Sequence, residues 1–273
     1  MGLLDLLEHW LLKGADAWVA RQPRRPPRRG RPAASGIVAH RGVYDNRRVY
    51  ENTLAAFERF EAAGGWGIEF DVRWTRDGVP VVTHDPDGRR LFGEDRPIAE
   101  MDLETLQRRL PLVPTLAEVV TRFGGRLHLM VEIKSLPAKD GPRPAAALER
   151  HFEHLMPSRD YHLLSLNLDL LQRLEYNFTH ACVPIARIKT PEIRRTARTF
   201  SWGGVAGHFA LMRNRQIDAL HRDGLMVGTG FVNSPNCAYR ELERGVDWLF
   251  SDRPLLIQRT LSRLPPAGSS STW

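Results

Sequence analysis

Two cysteines in 273 residues, Cys182 and Cys237, are too few and too far apart for a disulfide framework or a thiolate metal site. Nothing in them demands an oxidising compartment, and reduced thiols in a cytoplasmic protein are the simple expectation. No apolar run reaches the length of a membrane span, and the first residues lack the positive charge of a secretory leader. No internal repeat is evident. The net charge of +7 does not point to nucleic acid, because no basic face is interleaved with aromatics. Much of that charge is local. Residues 1–35 hold seven Lys or Arg against three acids, +4 in all, which leaves +3 for the other 238 residues.

What is present begins with an amphipathic pattern. Leu3, Leu4, Leu7, Leu11, Ala15, Trp18 and Val19 recur at helical spacing, broken by Asp5, Glu8, Lys13 and Asp16. Arg21 to Arg31 is a Pro/Arg linker. Two fates fit such a segment: peripheral contact with an anionic membrane through residues 1–31, or packing on the rest of the protein or a partner. The chain then divides into a helix and linker over 1–35, a barrel-sized domain over 36–260, and a flexible Pro/Gly/Ser-rich tail over 261–273.

Within 36–260 apolar runs alternate with helical periodicity. The pattern predicts strands near 36–40, 67–73, 127–133, 161–165, 182–187, 203–206, 225–229 and 246–251. Helices are predicted near 53–63, 102–110, 116–123, 145–155, 168–176, 191–199, 213–223 and 237–243, with Thr115 and Asp169 as helix-start residues. Eight strands alternating with helices make an α/β protein, a (β/α)8 TIM barrel preceded by the N-terminal amphipathic helix. Pro80–Thr83 is an extra returning strand after the Asp77-Gly78 turn, part of an excursion above the barrel mouth.

The strand ends carry the chemistry. In Gly67-Ile68-Glu69-Phe70-Asp71-Val72 the two carboxylates alternate with apolar residues, so both face one side of the strand. Glu132 and Lys134 repeat the spacing at the end of the next barrel strand, and His40 and His84 sit at comparable positions. Carboxylates 4 Å apart repel by about 4 kcal/mol at a realistic effective dielectric, so protons or a cation must neutralise the cluster. All-oxygen donors favour one hard divalent cation, Ca2+ or Mg2+. The histidines then serve as acid and base.

In this order the motifs are specific. His40-Arg41-Gly42, Glu51-Asn52-Thr53, Glu69-x-Asp71, Asp77-Gly78, His84-Asp85 and Glu132-Ile133-Lys134 resemble the glycerophosphodiester phosphodiesterase family. Ser251-Asp252-Arg253-Pro254 is similar to that family's closing motif. Tyr50 departs from the family's frequent proline, and Gly230 stands where a tryptophan is usual, which leaves the headgroup contacts open. The resemblance implies Glu69, Asp71 and Glu132 as metal ligands, Arg41 and Lys134 on phosphate oxygens, and His40 and His84 as general acid and base in either order. Glu51 is expected to orient His40 or a metal-bound water, and Asn52 to fix the loop. Phe231 and Asn233 are expected to line the glycerol or leaving-group pocket, and Trp74 to cap the mouth. The activity implied is hydrolysis of a glycerophosphodiester to an alcohol and glycerol 3-phosphate. A lysophospholipase D or sphingomyelinase D-like action on lysolipids, and a non-catalytic phosphate-binding barrel, are the alternatives.

Overall fold

The computed structural model describes residues 36–264 except 138–143, 175–177 and 187–189, together with 14, 15, 17–24 and 26. Eight parallel strands close on themselves. They are β1 (Gly36–His40), β2 (Gly67–Trp74), β6 (His128–Ile133), β7 (Tyr161–Ser165), β8 (Cys182–Ala186), β9 (Gly204–His208), β10 (Met226–Gly230) and β11 (Trp248–Ser251). Pairing of β1 with both β11 and β2 completes the ring. The excursion between β2 and β6 holds β3 (Pro80–Val82), antiparallel to β2, and a small hairpin of β4 (Asp87–Gly88) and β5 (Glu94–Pro97).

From Gly36 onward the helices include α1 (Leu54–Ala62), α2 (Arg89–Phe92), α3 (Leu103–Arg109), α4 (Leu116–Phe123), α5 (Pro144–Phe152), α6 (Leu168–Gln172), α7 (Thr190–Thr199), α8 (Asn214–Arg222), α9 (Pro235–Glu243) and α10 (Pro254–Leu261). Thr115 starts α4 through a reciprocal capping box with Glu118, as its position suggests. The start of α6 is Asn167, whose side chain accepts from the Asp169 amide, so Asp169 is a first-turn residue and not the cap. α10 lies beyond the helices expected from periodicity. Pro254 opens it and Ile257 and Leu261 anchor it, so the chain stays ordered into the stretch expected to be a tail, with Leu264 still packed on the core.

Strand alternation sorts the residues into two layers. Ile37, Ala39, Ile68, Phe70 and Val72 point outward into the layer shared with Phe57, Phe60, Leu116 and Phe123 of the helices. Val38, Met130, Leu164, Val183, Trp248 and Phe250 fill the interior. Small residues on β9 and β10 make room for the two large rings of β11. A Cβ at Gly228 would lie 2.7 Å from the Phe250 ring, so no larger residue fits there. At the lower end Trp66 stacks on His128 at 4.5 Å, His128 Nε2 meets His162 Nδ1 at 2.7 Å, and His162 packs on Trp248 at 4.6 Å. These histidines plug the barrel floor.

Trp74 does not cap the mouth. It is buried, and its Nε1–H donates to Ser135 O at 2.9 Å. Its place as the eighth residue of β2 turns the ring outward with Val72, away from the acidic face. Of the N-terminal amphipathic segment, residues 1–13 lie outside the described residues. The described end packs on the barrel: Val19 is buried in the core, Asn236 Nδ2 donates to Ala20 O at 2.8 Å, and Trp18 remains exposed. Among the described residues no helix is long and apolar enough to cross a membrane. Both cysteines are buried, Cys182 in β8 and Cys237 in α9.

Candidate active site at the barrel mouth

Register brings the acids together. Asp71 on β2 pairs with Glu132 on β6, and Glu69 pairs with His40 on β1. Residues paired on neighbouring strands stand about 5 Å apart, and those on the interior face converge at the C-terminal mouth. Glu69, Asp71 and Glu132 are buried, and one carboxylate oxygen from each lies within 4.8 Å of the others. No other such cluster occurs among the described residues.

The chain must turn sharply after β1 to keep its next residues at this mouth. Arg41 (φ 58°) and Gly42 (φ 87°) are both left-handed, and a Cβ on Gly42 would lie 2.7 Å from Ala56 Cβ. The turn aims the Arg41 amide at Glu69, donating to its backbone O at 2.9 Å and to Oε2 at 3.2 Å. Its guanidinium donates Nη1–H to Glu51 Oε1 at 2.8 Å and sets Nε 3.2 Å from Asp71 Oδ2. Asn52, also left-handed, clamps Asp71 from the far side. Its Nδ2 donates to Oδ2 at 2.8 Å, and its Oδ1 accepts from the Asp71 amide at 3.3 Å. The expected loop-fixing role of Asn52 is thus exercised directly on a candidate ligand. Lys134 Nζ lies 2.7 Å from Glu132 Oε1 and 3.0 Å from Asp71 Oδ1, so it faces the acids.

Glu51 does not touch His40. Besides Arg41 it accepts from Asn46 Nδ2 at 2.7 Å and from both terminal nitrogens of Arg90, at 3.1 and 2.6 Å. Burial opposes its ionisation, but the hydrogen bonds from Arg90, Asn46 and Arg41 outweigh it and hold the carboxyl down at about 2. The partner of His40 is Asp252, at the end of β11, with Oδ1 2.6 Å from Nδ1. Asn233 supports this pair. Its Nδ2 donates to Asp252 Oδ2 at 2.9 Å, and its Oδ1 accepts from the Asp252 amide at 2.8 Å. Phe231 meets the His40 ring edge-on at 4.7 Å and is 36% exposed at the rim. His84 is anchored in the same manner as His40, by Asp85 Oδ1 at 2.8 Å from Nδ1. Asp252, Asp85, Asn46 and Arg90 are not marked as site residues by periodicity or spacing. Only the closing Ser-Asp-Arg-Pro motif and the residue beside His84 offered a signal.

The electrostatics show what the acids lack. Burial and the neighbouring Asp71 charge push Glu69 up to about 8, and burial with Asp71 also raises Glu132. Burial works against the Asp71 carboxylate too, but Lys134 and Arg41 override it and hold it well below the usual range. Even so, Asp71 Oδ1 and Arg41 Nε are buried without a hydrogen bond. Three buried carboxylates, two of them held back from ionising by burial and by the Asp71 charge, fit a divalent cation with oxygen ligands. Burial opposes protonation of His40, but Glu69 and the Asp252 hydrogen bond raise it overall, whereas burial lowers His84. Tyr44 keeps its proton at this rim, raised by burial and by Asp252 and Glu51. His208, at the end of β9, is buried against Phe209 with Nδ1 accepting from the Ala210 amide, a packed histidine.

The sequence profile described as the glycerophosphoryl diester phosphodiesterase family matches residues 40–256. The chain belongs to that family. It is a phosphoric diester hydrolase, and the match runs from His40, the last residue of β1, through β11. Glycerophosphodiester phosphodiesterase of Bacillus altitudinis is 26% identical over 227 residues, covering 74% of this chain and 89% of that protein. The crystal structure of glycerophosphodiester phosphodiesterase from Agrobacterium tumefaciens has a TM-score of 0.67 and 25% identity, covering 82% of this chain and 99% of that one. An Oleispira antarctica phosphodiesterase, solved in complex with the product sn-glycerol-3-phosphate, has a TM-score of 0.71 and 23% identity over 84% and 97% of the two chains.

Proposed function

We propose that the enzyme hydrolyses glycerophosphodiesters with help from one divalent cation, Ca2+ or Mg2+, and with His40 and His84 moving the protons. The observation that carries this reading is the meeting, at one mouth, of a buried carboxylate triad and two histidines each anchored through Nδ1 by an aspartate. Glu69, Asp71 and Glu132 would hold the cation, which when bound supplies charge neutralisation and polarisation of the diester.

The chain's own groups do the rest. Among the described residues Arg41 Nη2 has no hydrogen-bond partner, so it is available to a non-bridging phosphate oxygen while Nη1 and Nε stay on Glu51 and Asp71. Lys134 adds positive charge beside the acids. An aspartate on Nδ1 keeps a proton on that nitrogen and turns Nε2 towards substrate. A neutral ring then accepts a proton through Nε2 from the attacking oxygen, and a protonated ring gives one to the departing alkoxide. The products are an alcohol and glycerol 3-phosphate, the product class found in the Oleispira antarctica relative.

A second reading, action on lysolipids, draws on the exposed Phe231 beside His40 and on exposed Leu166 just past the end of β7. One experiment separates the two. The purified full chain is offered a panel of soluble glycerophosphodiesters and lysophospholipids, with and without chelator. Release of glycerol 3-phosphate that stops with chelator and returns with Ca2+ or Mg2+ is the expected result. Turnover of lysolipids alone would favour the second reading, and no turnover at all would leave a non-catalytic phosphate-binding barrel.

A further inference from the structure

We infer that Arg90 is a positioning residue whose single guanidinium ties His84 to Arg41 across the mouth; the inference rests on the roles just given to those two residues. Arg90 lies on the four-residue helix α2, between the strands of the β4–β5 hairpin that stands over the barrel. Its Nε donates to Asp85 Oδ2 at 2.6 Å, and Asp85 uses its other oxygen to hold His84 Nδ1 at 2.8 Å. Its two terminal nitrogens fork onto Glu51, Nη2 to Oε1 at 2.6 Å and Nη1 to Oε2 at 3.1 Å. Glu51 Oε1 in turn accepts from Arg41 Nη1 at 2.8 Å. One unbroken chain therefore runs from His84 through Asp85, Arg90 and Glu51 to Arg41.

The ends of this chain come from different parts of the fold. Arg41 follows β1 of the barrel, whereas His84 belongs to the excursion. The excursion is fixed at its base by β3 pairing with β2, and Arg73 Nε donates to His84 O at 2.8 Å. These contacts place the His84 backbone but do not orient its ring. The ring orientation depends on Asp85, and Asp85 depends on Arg90. A lysine ammonium cannot replace this guanidinium, because Nε and the terminal pair diverge onto two separate carboxylates. An ordinary ion pair at a side chain 45% exposed would contribute almost nothing measurable, so a large catalytic effect here would come from geometry.

The test uses Arg90→Ala, Arg90→Gln and Arg90→Lys, with His84→Ala in parallel, on a soluble glycerophosphodiester. Misplacing a catalytic group by about 1 Å costs on the order of 10²-fold, so kcat of the Ala and Gln variants should fall about 10- to 100-fold with KM changed less than about threefold. Added guanidinium ion should restore part of kcat to Arg90→Ala and none to His84→Ala, and Arg90→Lys should recover little. The proposal is overturned if the Ala and Gln variants keep kcat within about twofold of the parent, if the change falls on KM alone, or if both variants are unfolded by circular dichroism. Should His84→Ala itself retain full turnover, the reading of the site fails first. An inactive His84→Ala beside a fully active Arg90→Ala overturns only the inference about Arg90.

Discussion

His40 Nδ1 and Asp252 Oδ1 lie 2.6 Å apart although 212 positions separate them in the chain. The contact exists because β1 pairs with β11 to close the barrel, with Ala39 opposite Ser251. Asn233 and the Ser251 hydroxyl complete the cradle, since Oδ1 of Asn233 accepts from both the Asp252 amide and Ser251 Oγ. The geometry is that of a carboxylate holding an imidazole in one direction, the support that the proton-transfer role proposed for His40 requires.

Asp252→Asn should therefore lower kcat by at least about tenfold, towards the 10²–10⁴ that positioned acid–base catalysis supplies, while the fold stays intact. Asn233→Ala should produce a smaller loss of the same kind, since it removes the support and not the partner. Steady-state kinetics on one soluble diester, with circular dichroism as the folding control, decide it. A KM effect without a kcat effect in Asp252→Asn would place that aspartate on substrate instead.

The acidic cluster makes an opposite pair of expectations for stability and binding. Removing one carboxylate relieves the repulsion that burial and Asp71 impose on Glu69, so Glu69→Gln should leave the cation-free protein as stable as the parent or slightly more so. The same change should abolish binding of Ca2+ or Mg2+ in a calorimetric titration. Unchanged affinity would put the cation elsewhere.

The strand order and the acidic face were legible because a period of two is a local property: Glu69 and Asp71 between Ile68, Phe70 and Val72 can face only one way. The eight barrel strands fall where the periodicity puts them, to within two residues. What stayed hidden depends on closure. Neither Asp252 nor Asn233 carries a local mark that sends it to His40, and of the two expectations for Glu51, orienting His40 or a metal-bound water, the contact with His40 is absent: its protein partners are Arg41, Asn46 and Arg90. Arg90 sits in a polar stretch with no period at all. Trp74 misled for the opposite reason, since an aromatic at a strand end reads as a cap until the pleat shows which side it takes.

The barrel floor should make the protein acid-sensitive. Burial lowers His128 to about 4, and burial with the neighbouring His128 lowers His162 to about 3, both from an ordinary value near 6.5. Above pH about 6.5 neither state binds the protons, and the two rings impose no penalty. As the pH falls below that value, the unfolded chain takes up protons that the folded one refuses, so stability declines until the folded values are reached. The slope is on the order of 1 kcal/mol per histidine per pH unit. Denaturant midpoints measured between pH 7 and 5 should drop steeply in the parent and less so in a His128→Phe/His162→Phe variant, even if that variant starts lower at pH 7. Equal slopes would mean that other groups set the acid limit.

The division of labour between the two anchored histidines can be read from the leaving group. An alkoxide needs a proton as it departs, whereas nitrophenolate does not, so an activated substrate removes the need for a general acid. On a glycerophosphodiester with an alkyl leaving group, His40→Ala and His84→Ala should each lower kcat by about 10²–10⁴. The double variant should be far less impaired than the product of the two, because groups that act as one unit do not contribute independently. On the nitrophenyl substrate one of the single variants should recover most of its activity and the other should not. The variant that recovers marks the acid, and its aspartate should become dispensable on that substrate as well: Asp252 if the acid is His40, Asp85 if it is His84. Equal losses for both variants on both substrates would overturn the acid–base division, and recovery of a histidine variant without recovery of its aspartate variant would mean that the aspartate also shapes the bound state.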